Sequence, residues 1–311
     1  MDQAASVVRL LITNLGFIGT ILNTIQLYVL CQCKISSRLT TLLLRTQTVI
    51  DTYSCLIIFI YKLSGQDIDT GLPLLDEILC YLWYRDNLFW LGVVFSVQNL
   101  TCISFDRFCA VCFPSQYKIR QTQLIIVCYV YEIGMTLFLF IPNFFLRRYK
   151  ANQCYSQYAF DGPVIERFFQ VQAYLWMLFN YLLPAVIMIT SHAHIIHVLR
   201  HPTPGQQRGR QVQNNVKKLI LTTSLMAGLL LALHLYEAIR YILANSDVIL
   251  YAAGTATQQV GPLLITLSAL LNPCVLIATS YTVRRQVIRS VLRFDTINNG
   301  TPRTTEAITN I

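Results

Sequence analysis

Two carboxylates stand where carboxylates are costly: Asp51 and Glu132 each lie inside a run of apolar residues. An ionisable group in such a setting persists when it is bonded to neighbours or serves a function. A third pair, Asp106-Arg107, closes another apolar run and has the makings of an ion pair. Cys109-x-x-Cys112 is half of a four-ligand zinc site, but no second pair stands near it, so packing or lipidation at a membrane edge is the better reading. His194, His197 and His201 share one helical face at i, i+3 and i+7, a spacing suited to a metal or a pH response. The plainer reading is the polar end of a helix. Asn99-Leu100-Thr101 and Asn299-Gly300-Thr301 fit the glycan acceptor pattern, one inside an apolar run and the other in a tail. No nucleophile, base and orienting group converge, and no metal-ligand set is complete, so neither an enzyme nor a cofactor is expected.

The elements that carry these residues follow from composition. Of the 311 residues 54% are apolar and only 13% are charged, a balance that excludes an ordinary water-soluble enzyme. A helix that crosses the hydrocarbon needs about 20 mostly apolar residues, because its backbone must satisfy its own hydrogen bonds. Seven stretches qualify: 8–31, 40–61, 87–111, 124–144, 173–196, 219–235 with a more polar continuation to 242, and 260–278. The sixth is interrupted by Glu237 and Arg240. The first run is too long for the apolar core of a secretory signal and reads as a retained helix, with too few residues before it for a separate ligand-binding domain.

Short loops with more Lys and Arg stay in the cytoplasm. With the N-terminus outside, sixteen of the 24 basic residues fall at the inner ends and eight at the outer. Ten of the 15 acidic residues fall outside and three inside, with Asp51 and Glu132 within spans. The formal charge of +9 is therefore a map of orientation, with a basic inner face suited to anionic lipid, and nucleic acid is not an expected partner. From 281 to 294, Val283, Val287, Ile288, Val291 and Leu292 alternate with four arginines at helical spacing, a pattern that lies flat on a membrane surface.

Five landmarks in order give a more specific reading. Asn23, Asp51, the segment Asp106-Arg107-Phe108, Pro184 and Asn272-Pro273 sit in spans one, two, three, five and seven, followed by the basic amphipathic segment. In this the chain resembles the rhodopsin-like (class A) G-protein-coupled receptors from Asn23 to Phe294. The resemblance implies an all-α bundle of seven transmembrane helices with a short eighth helix, a receptor domain at 1–294 and a disordered cytoplasmic tail at 295–311. It implies that Asp106 and Arg107 form the G-protein switch. It places Asn23, Ser96, Ser268 and Asn272 around Asp51, where Asp51, Ser96, Ser268 and Asn272 would hold water and a sodium ion; a carboxylate that only ties helices together is the alternative. It also implies an extracellular bridge between Cys80 and Cys154, although Cys80 stands about two residues farther from Arg107 than the family pattern has it. That calls for a helix that starts higher or for different bridge geometry.

The chain departs from the family in helix six, where Ala227, Leu231 and Leu233 replace an aromatic, a tryptophan and a proline. Leu276 and His192 stand where tyrosines are usual, and helix four has Tyr129 and Tyr131 in place of a tryptophan. These changes remove the usual kink and toggle. Phe89 occupies the place where an amine receptor carries a carboxylate, and Thr266 that of a retinal lysine, so monoamine and retinal ligands are not expected. The outer ends offer Phe89, Trp90, Trp176, Tyr236, Glu237, Arg240, Gln258 and Gln259 as pocket residues, a set that suits a peptide or another ligand of mixed polarity. Some of these also suit an interfacial aromatic belt, and Glu237 and Arg240 are spaced to pair on one helix. The expectation is a multi-pass plasma-membrane receptor of neuropeptide type with an extracellular N-terminus. Its partners would be an extracellular peptide or small ligand, a heterotrimeric G protein, arrestin and membrane lipid. The alternatives are a non-signalling binding receptor and an ion transporter or channel in which Asp51 and Glu132 mark the path. The C-terminal Thr309-Asn310-Ile311 fits a PDZ ligand, and Ser290, Thr296, Thr301, Thr304 and Thr305 fit regulatory phosphates.

Overall fold

The computed structural model describes residues 3–298, apart from 34, 36, 67, 152, 156–161, 202–209, 247, 251 and 253, and apart from the side chains of 163, 166, 210–215 and 290–298. Seven helices long and apolar enough to cross a membrane run Gln3–Gln32, Arg38–Ser64, Tyr84–Cys112, Gln121–Leu146, Arg167–Arg200, Val216–Asn245 and Ala256–Thr279, here spans one to seven. They coincide with the seven apolar runs. A further helix, Tyr281–Asn298, follows span seven after an extended Ser280 and buries Val283 against the bundle. It continues past residue 294 to Asn298. The PDZ-type end, Asn299-Gly300-Thr301 and the tail hydroxyls lie outside the described residues, as do 202–209 and the side chains of Ser290 and Thr296.

The bundle is layered. One apolar layer holds Val29, Leu43, Leu100, Ile103, Met188, Met226, Leu230 and Leu276. The other holds Ile12, Ile58, Tyr61, Trp83, Phe89, Val93 and Ile265. Between them lie buried Asn23, Gln47, Asp51, Ser96, Asn99 and Asn272. Groups that find no water in hydrocarbon must find one another, so this middle layer is a hydrogen-bonded sheet of side chains. Span one packs directly on span two because a Cβ at Gly19 would stand 2.6 Å from Cys55 Sγ.

Helix ends and breaks follow local chemistry. Ser37 caps span two by accepting from Thr40 N at 3.1 Å, and Thr255 caps span seven by accepting from Gln258 N at 3.3 Å. Pro273 has no N–H to give Ala269 four residues earlier, and the Asn23 amide donates to that open carbonyl at 3.1 Å. In span five a π-helical turn, Leu178–Leu182, precedes Pro184, and Gln98 Nε2 donates to the Phe179 carbonyl within it at 3.0 Å. The helix Arg210–Asn245, which contains span six, runs without an internal proline, in keeping with its lack of a kink signal.

The segment before span three corrects an expectation. Cys80 lies on a separate helix, Pro73–Leu82, and the chain then turns through left-handed Arg85 (φ 55°) and Asp86 (φ 51°) before span three continues. The extra residues ahead of Arg107 are absorbed by this turn, not by a longer helix three. Consecutive left-handed non-glycine residues cost on the order of 1–3 kcal/mol each, and the neighbours hold them. Trp90 Nε1 donates to Asp86 Oδ1 at 2.9 Å, Asn87 Nδ2 to Tyr81 O at 2.9 Å, and Arg147 Nε to Tyr84 O at 3.0 Å. Cys80 is bonded to Cys154, which sits on strand Gln153–Tyr155 of a hairpin antiparallel to Arg148–Lys150. This is the bridged end of the bundle; the end that carries Arg107 is the basic end.

Candidate functional site

At the basic end Asp106 and Arg107 are buried, at 1% and 5% exposure. Arg107 Nε donates to Asp106 Oδ2 at 3.0 Å, and its terminal nitrogen donates to the same oxygen and to Thr40 Oγ1. Thr40 donates to Asp106 Oδ2 at 2.8 Å, and Tyr117 OH donates to Asp106 Oδ1 at 2.5 Å. Ser37 Oγ pairs with Tyr117 OH at 2.6 Å, so the start of span two, the end of span three and the short helix Pro114–Ile119 are clasped together. Burial, and then the Asp106 carboxylate, raise the Tyr117 phenol above its ordinary value, which keeps its donor proton in place. The clasp therefore includes Thr40, Ser37 and Tyr117, which carry no motif of their own. The Asp-Arg pair is accordingly a closed assembly. Freeing the guanidinium requires breaking its bonds to Asp106 and to Thr40 of span two.

A second junction lies deeper. His192 Nδ1 is 2.9 Å from Ser224 Oγ on span six, and its Nε2 is 3.3 Å from Ser104 Oγ on span three. The imidazole thus bridges spans three, five and six at a place where the family pattern has a tyrosine. Tyr181, within the π turn, adds a bond to Leu231 O at 2.9 Å. His194, His197 and His201 stack along one face, with His194 against Phe108 at 5.5 Å and His197 5.0 Å from His201. Among the described residues no group of three His, Cys, Asp or Glu is arranged to hold a metal ion.

In the middle layer Asp51 accepts from Gln47 at 2.9 Å, Ser96 at 3.2 Å and Asn272 at 2.8 Å. Gln47 also donates to Ser96 at 2.7 Å and accepts from Asn99 at 2.8 Å, so it is the hub of the network. Asn23 does not reach the carboxylate: its amide serves Gly19 O and Ala269 O. This corrects the expectation that Asn23 surrounds Asp51, and the cause is the carbonyl that Pro273 leaves open. A void of about 10 Å³ borders Asp51, Ser54, Ser96, Ser268 and His234. Its oxygen donors and its size, room for about one water, fit a small hard cation or a water molecule. Glu132, buried on span four, stands apart, and neither of its oxygens has a hydrogen-bond partner among the described residues.

At the bridged end a cavity of about 1250 Å³ opens, with residues from all seven spans in its wall. Of the eight expected pocket residues, Trp90, Trp176, Glu237, Gln258 and Gln259 line it. Phe89, 1% exposed, does not line it and borders the Asp51 void instead. Tyr236 and Arg240 do not line the cavity: the Tyr236 hydroxyl donates to Thr257 O at 3.0 Å, and Arg240 lies over the Tyr236 ring at 5.9 Å. Trp90 meets Trp176 edge-on at 5.7 Å, and Trp176 meets Tyr241 at 4.9 Å. Gly261 has no Cβ to obstruct the Glu237 carboxylate packed against it. Arg9, Lys62, Arg85 and Arg147, four of the eight basic residues at the outer ends, also line the cavity. Burial draws the Arg147 guanidinium down to about 10 although Asp86 opposes this, so it stays charged at neutral pH.

The model of the family described as "7 transmembrane receptor (rhodopsin family)" matches residues 22–276. No curated protein matches the chain.

Proposed function

Because the chain belongs to the rhodopsin family of seven-transmembrane receptors, we propose that it is a plasma-membrane receptor with an extracellular N-terminus. It binds a peptide in the cavity at the bridged end and activates a heterotrimeric G protein at the basic end. The observation that carries this reading is the buried clasp around Asp106 and Arg107, at the end opposite a cavity walled by every span. Receptor activation requires a ligand whose contacts differ between two states of the bundle. Here the cavity wall and the clasp belong to the same helices. A ligand that draws together the outer ends of spans three, five, six and seven loads the His192 bridge, and separation of the inner ends releases Arg107 towards the G protein, with arrestin able to use the same face. The cavity exceeds the roughly 300–1,000 Å³ of ordinary small-molecule sites, which favours a peptide segment. Asp51, Ser96, Ser268 and Asn272 would hold a sodium ion, whose charge would stabilise the carboxylate in the closed arrangement. The basic helix Tyr281–Asn298 would lie on anionic lipid.

The test is nucleotide exchange on purified heterotrimeric G proteins by the full chain in lipid nanodiscs. The wild type is expected to raise exchange above empty discs with at least one G protein, and Arg107→Ala to reduce it to background. Exchange that is equal in the two would refute the assignment of Arg107. No exchange from the wild type with any G protein, before and after a peptide screen, would indicate a binding receptor that does not signal.

A further inference from the structure

The wall of the outer cavity carries a charge opposite to its surroundings. The sequence assigns more acidic than basic residues to the outer ends, yet among the described residues the cavity is lined by four cations, Arg9, Lys62, Arg85 and Arg147, and by two carboxylates, Asp86 and Glu237. The cations come from four separate stretches of chain, in or beside spans one to four. How they are bonded matters more than their number. Arg9 donates to Lys62 O at 2.8 and 2.6 Å, and Arg147 donates to Tyr84 O at 3.0 Å and Asn143 O at 2.5 Å. These partners are neutral carbonyls, so each guanidinium is held in place by bonds that leave its formal charge unchanged. Lys62 Nζ lies over the Tyr61 ring at 5.4 Å. Arg85 is exposed and makes neither a hydrogen bond nor an ion pair among the described residues. Asp86 lies within the electrostatic reach of Lys62, Arg147 and Arg85, one carboxylate shared by three cations, and its Oδ1 already accepts from Trp90. Fixed cations in a partly enclosed cleft focus the field and attract the opposite charge. Beside them the Trp90–Trp176–Tyr241 stack offers an apolar and aromatic surface.

We propose that the ligand of this cavity is an acidic peptide, whose carboxylate seats against Lys62 and Arg85 while a neighbouring aromatic or aliphatic side chain packs on Trp90 and Trp176. The inference rests on the reading of the cavity as the ligand site and adds the chemistry of what enters it. The carboxylate is either an Asp or Glu side chain or a free C-terminus, and both sources present the same oxygens to the same cations. A charge-assisted contact is shorter and stronger than a neutral one, and an arginine with no internal partner loses nothing by making it.

The experiment uses the full chain in neutral phosphatidylcholine nanodiscs and two pools of random heptapeptides, one with C-terminal acids and one with amides. Retained peptides are identified by mass spectrometry against empty discs. The expected result is at least tenfold enrichment of peptides that carry Asp, Glu or a free C-terminus over basic ones. Preference for the acid pool identifies the terminus; Asp or Glu enrichment within the amide pool identifies the side chain. Arg85→Gln, at an exposed position that the fold does not need, is expected to lower the enrichment about tenfold, equivalent to about 1.4 kcal/mol. Arg85→Glu is expected to turn the selection towards basic peptides. Retention of neutral or basic peptides by the wild type, retention of none, or an unchanged selection in Arg85→Glu would overturn the proposal. Exchange on G proteins measured in the same discs separates the two readings. Acidic selection without exchange leaves this inference standing and removes the signalling role, whereas exchange without acidic selection does the reverse.

Discussion

Tyr117→Phe removes one hydroxyl from the Asp106 clasp and almost nothing else. The ring remains in the apolar layer, where Tyr117 is 9% exposed. The lost bonds are the 2.6 Å contact to Ser37 Oγ and the 2.5 Å contact to Asp106 Oδ1; the latter is a hydrogen bond to a charged group, and such bonds contribute about 1.5–3 kcal/mol. Asp106 keeps Arg107 and Thr40 on its other oxygen, and Ser37 keeps Thr40. If the bond exists only in the closed arrangement, its loss shifts the closed–open equilibrium by about 10- to 100-fold, at about 1.4 kcal/mol per factor of ten. The assay is ligand-free nucleotide exchange at matched receptor number, and a rise towards the upper limit set by the G protein is expected. Ser37→Ala is a poor substitute because Ser37 also caps span two. Thr40→Val is the better second variant, since it removes the hydroxyl that receives Arg107. Basal exchange within about twofold of wild type in both variants would refute the view that the clasp holds the receptor closed.

Further expectations follow from the other junctions. Ser224→Ala removes one neutral bond to His192, about 1 kcal/mol, and is expected to raise ligand-free exchange about fivefold, with His192→Phe at least as large in the same assay. Asp51→Asn replaces the shared acceptor of three donors; thermal unfolding in detergent is expected to fall by a few degrees, and any sodium dependence of unfolding is expected to vanish. The Cys80–Cys154 bond closes a loop with a sequence separation of 74, so Cys154→Ser is expected to remove about 4 kcal/mol in the chain-entropy account and to lower the yield of folded receptor, read by size-exclusion chromatography. Tyr117 binds its proton more tightly in the fold than in the unfolded chain, so its contribution is complete below the ordinary phenol value near 10 and is lost only as pH rises beyond it. Any difference between wild type and Tyr117→Phe in basal exchange is therefore expected to be flat from pH 6 to 8.

The seven spans were legible because a helix in hydrocarbon must be apolar for about 20 residues, a constraint strong enough to survive without any other signal. Asp51 was legible through cost, since a carboxylate at membrane depth needs company, whereas its partners Ser96 and Asn272 were legible only through the family resemblance. Gln47 escaped notice for the opposite reason, as an uncharged residue among the threonines of span two that acquires its role only from Asn99 and Ser96 across the interface. The turn at Arg85 and Asp86 carries neither glycine nor proline, so nothing local announces it, and the surrounding bonds create it. The cavity's cations were read correctly as charges but not as a site. Positions 9, 62, 85 and 147 are far apart in the chain, and only the packing of spans one to four and the disulfide brings them together. Tyr236 and Arg240 were named for their place at the outer end of span six, but depth alone does not say which way a side chain turns, and in the structure Tyr236 bonds Thr257 and Arg240 lies over the Tyr236 ring.

The contacts made by span seven have a consequence for the order in which the molecule is made. Asn272 completes the set around Asp51 across 221 residues, and Ala269 receives Asn23 across 246. A ribosome delivers these groups last. Until then spans one and two wait in the lipid with an amide and a carboxylate short of partners, held meanwhile by neighbours within the first three spans. The seventh span thus acts as the closing stave of a cask: the first staves are in place early, but the ring is tight only when this one is driven home.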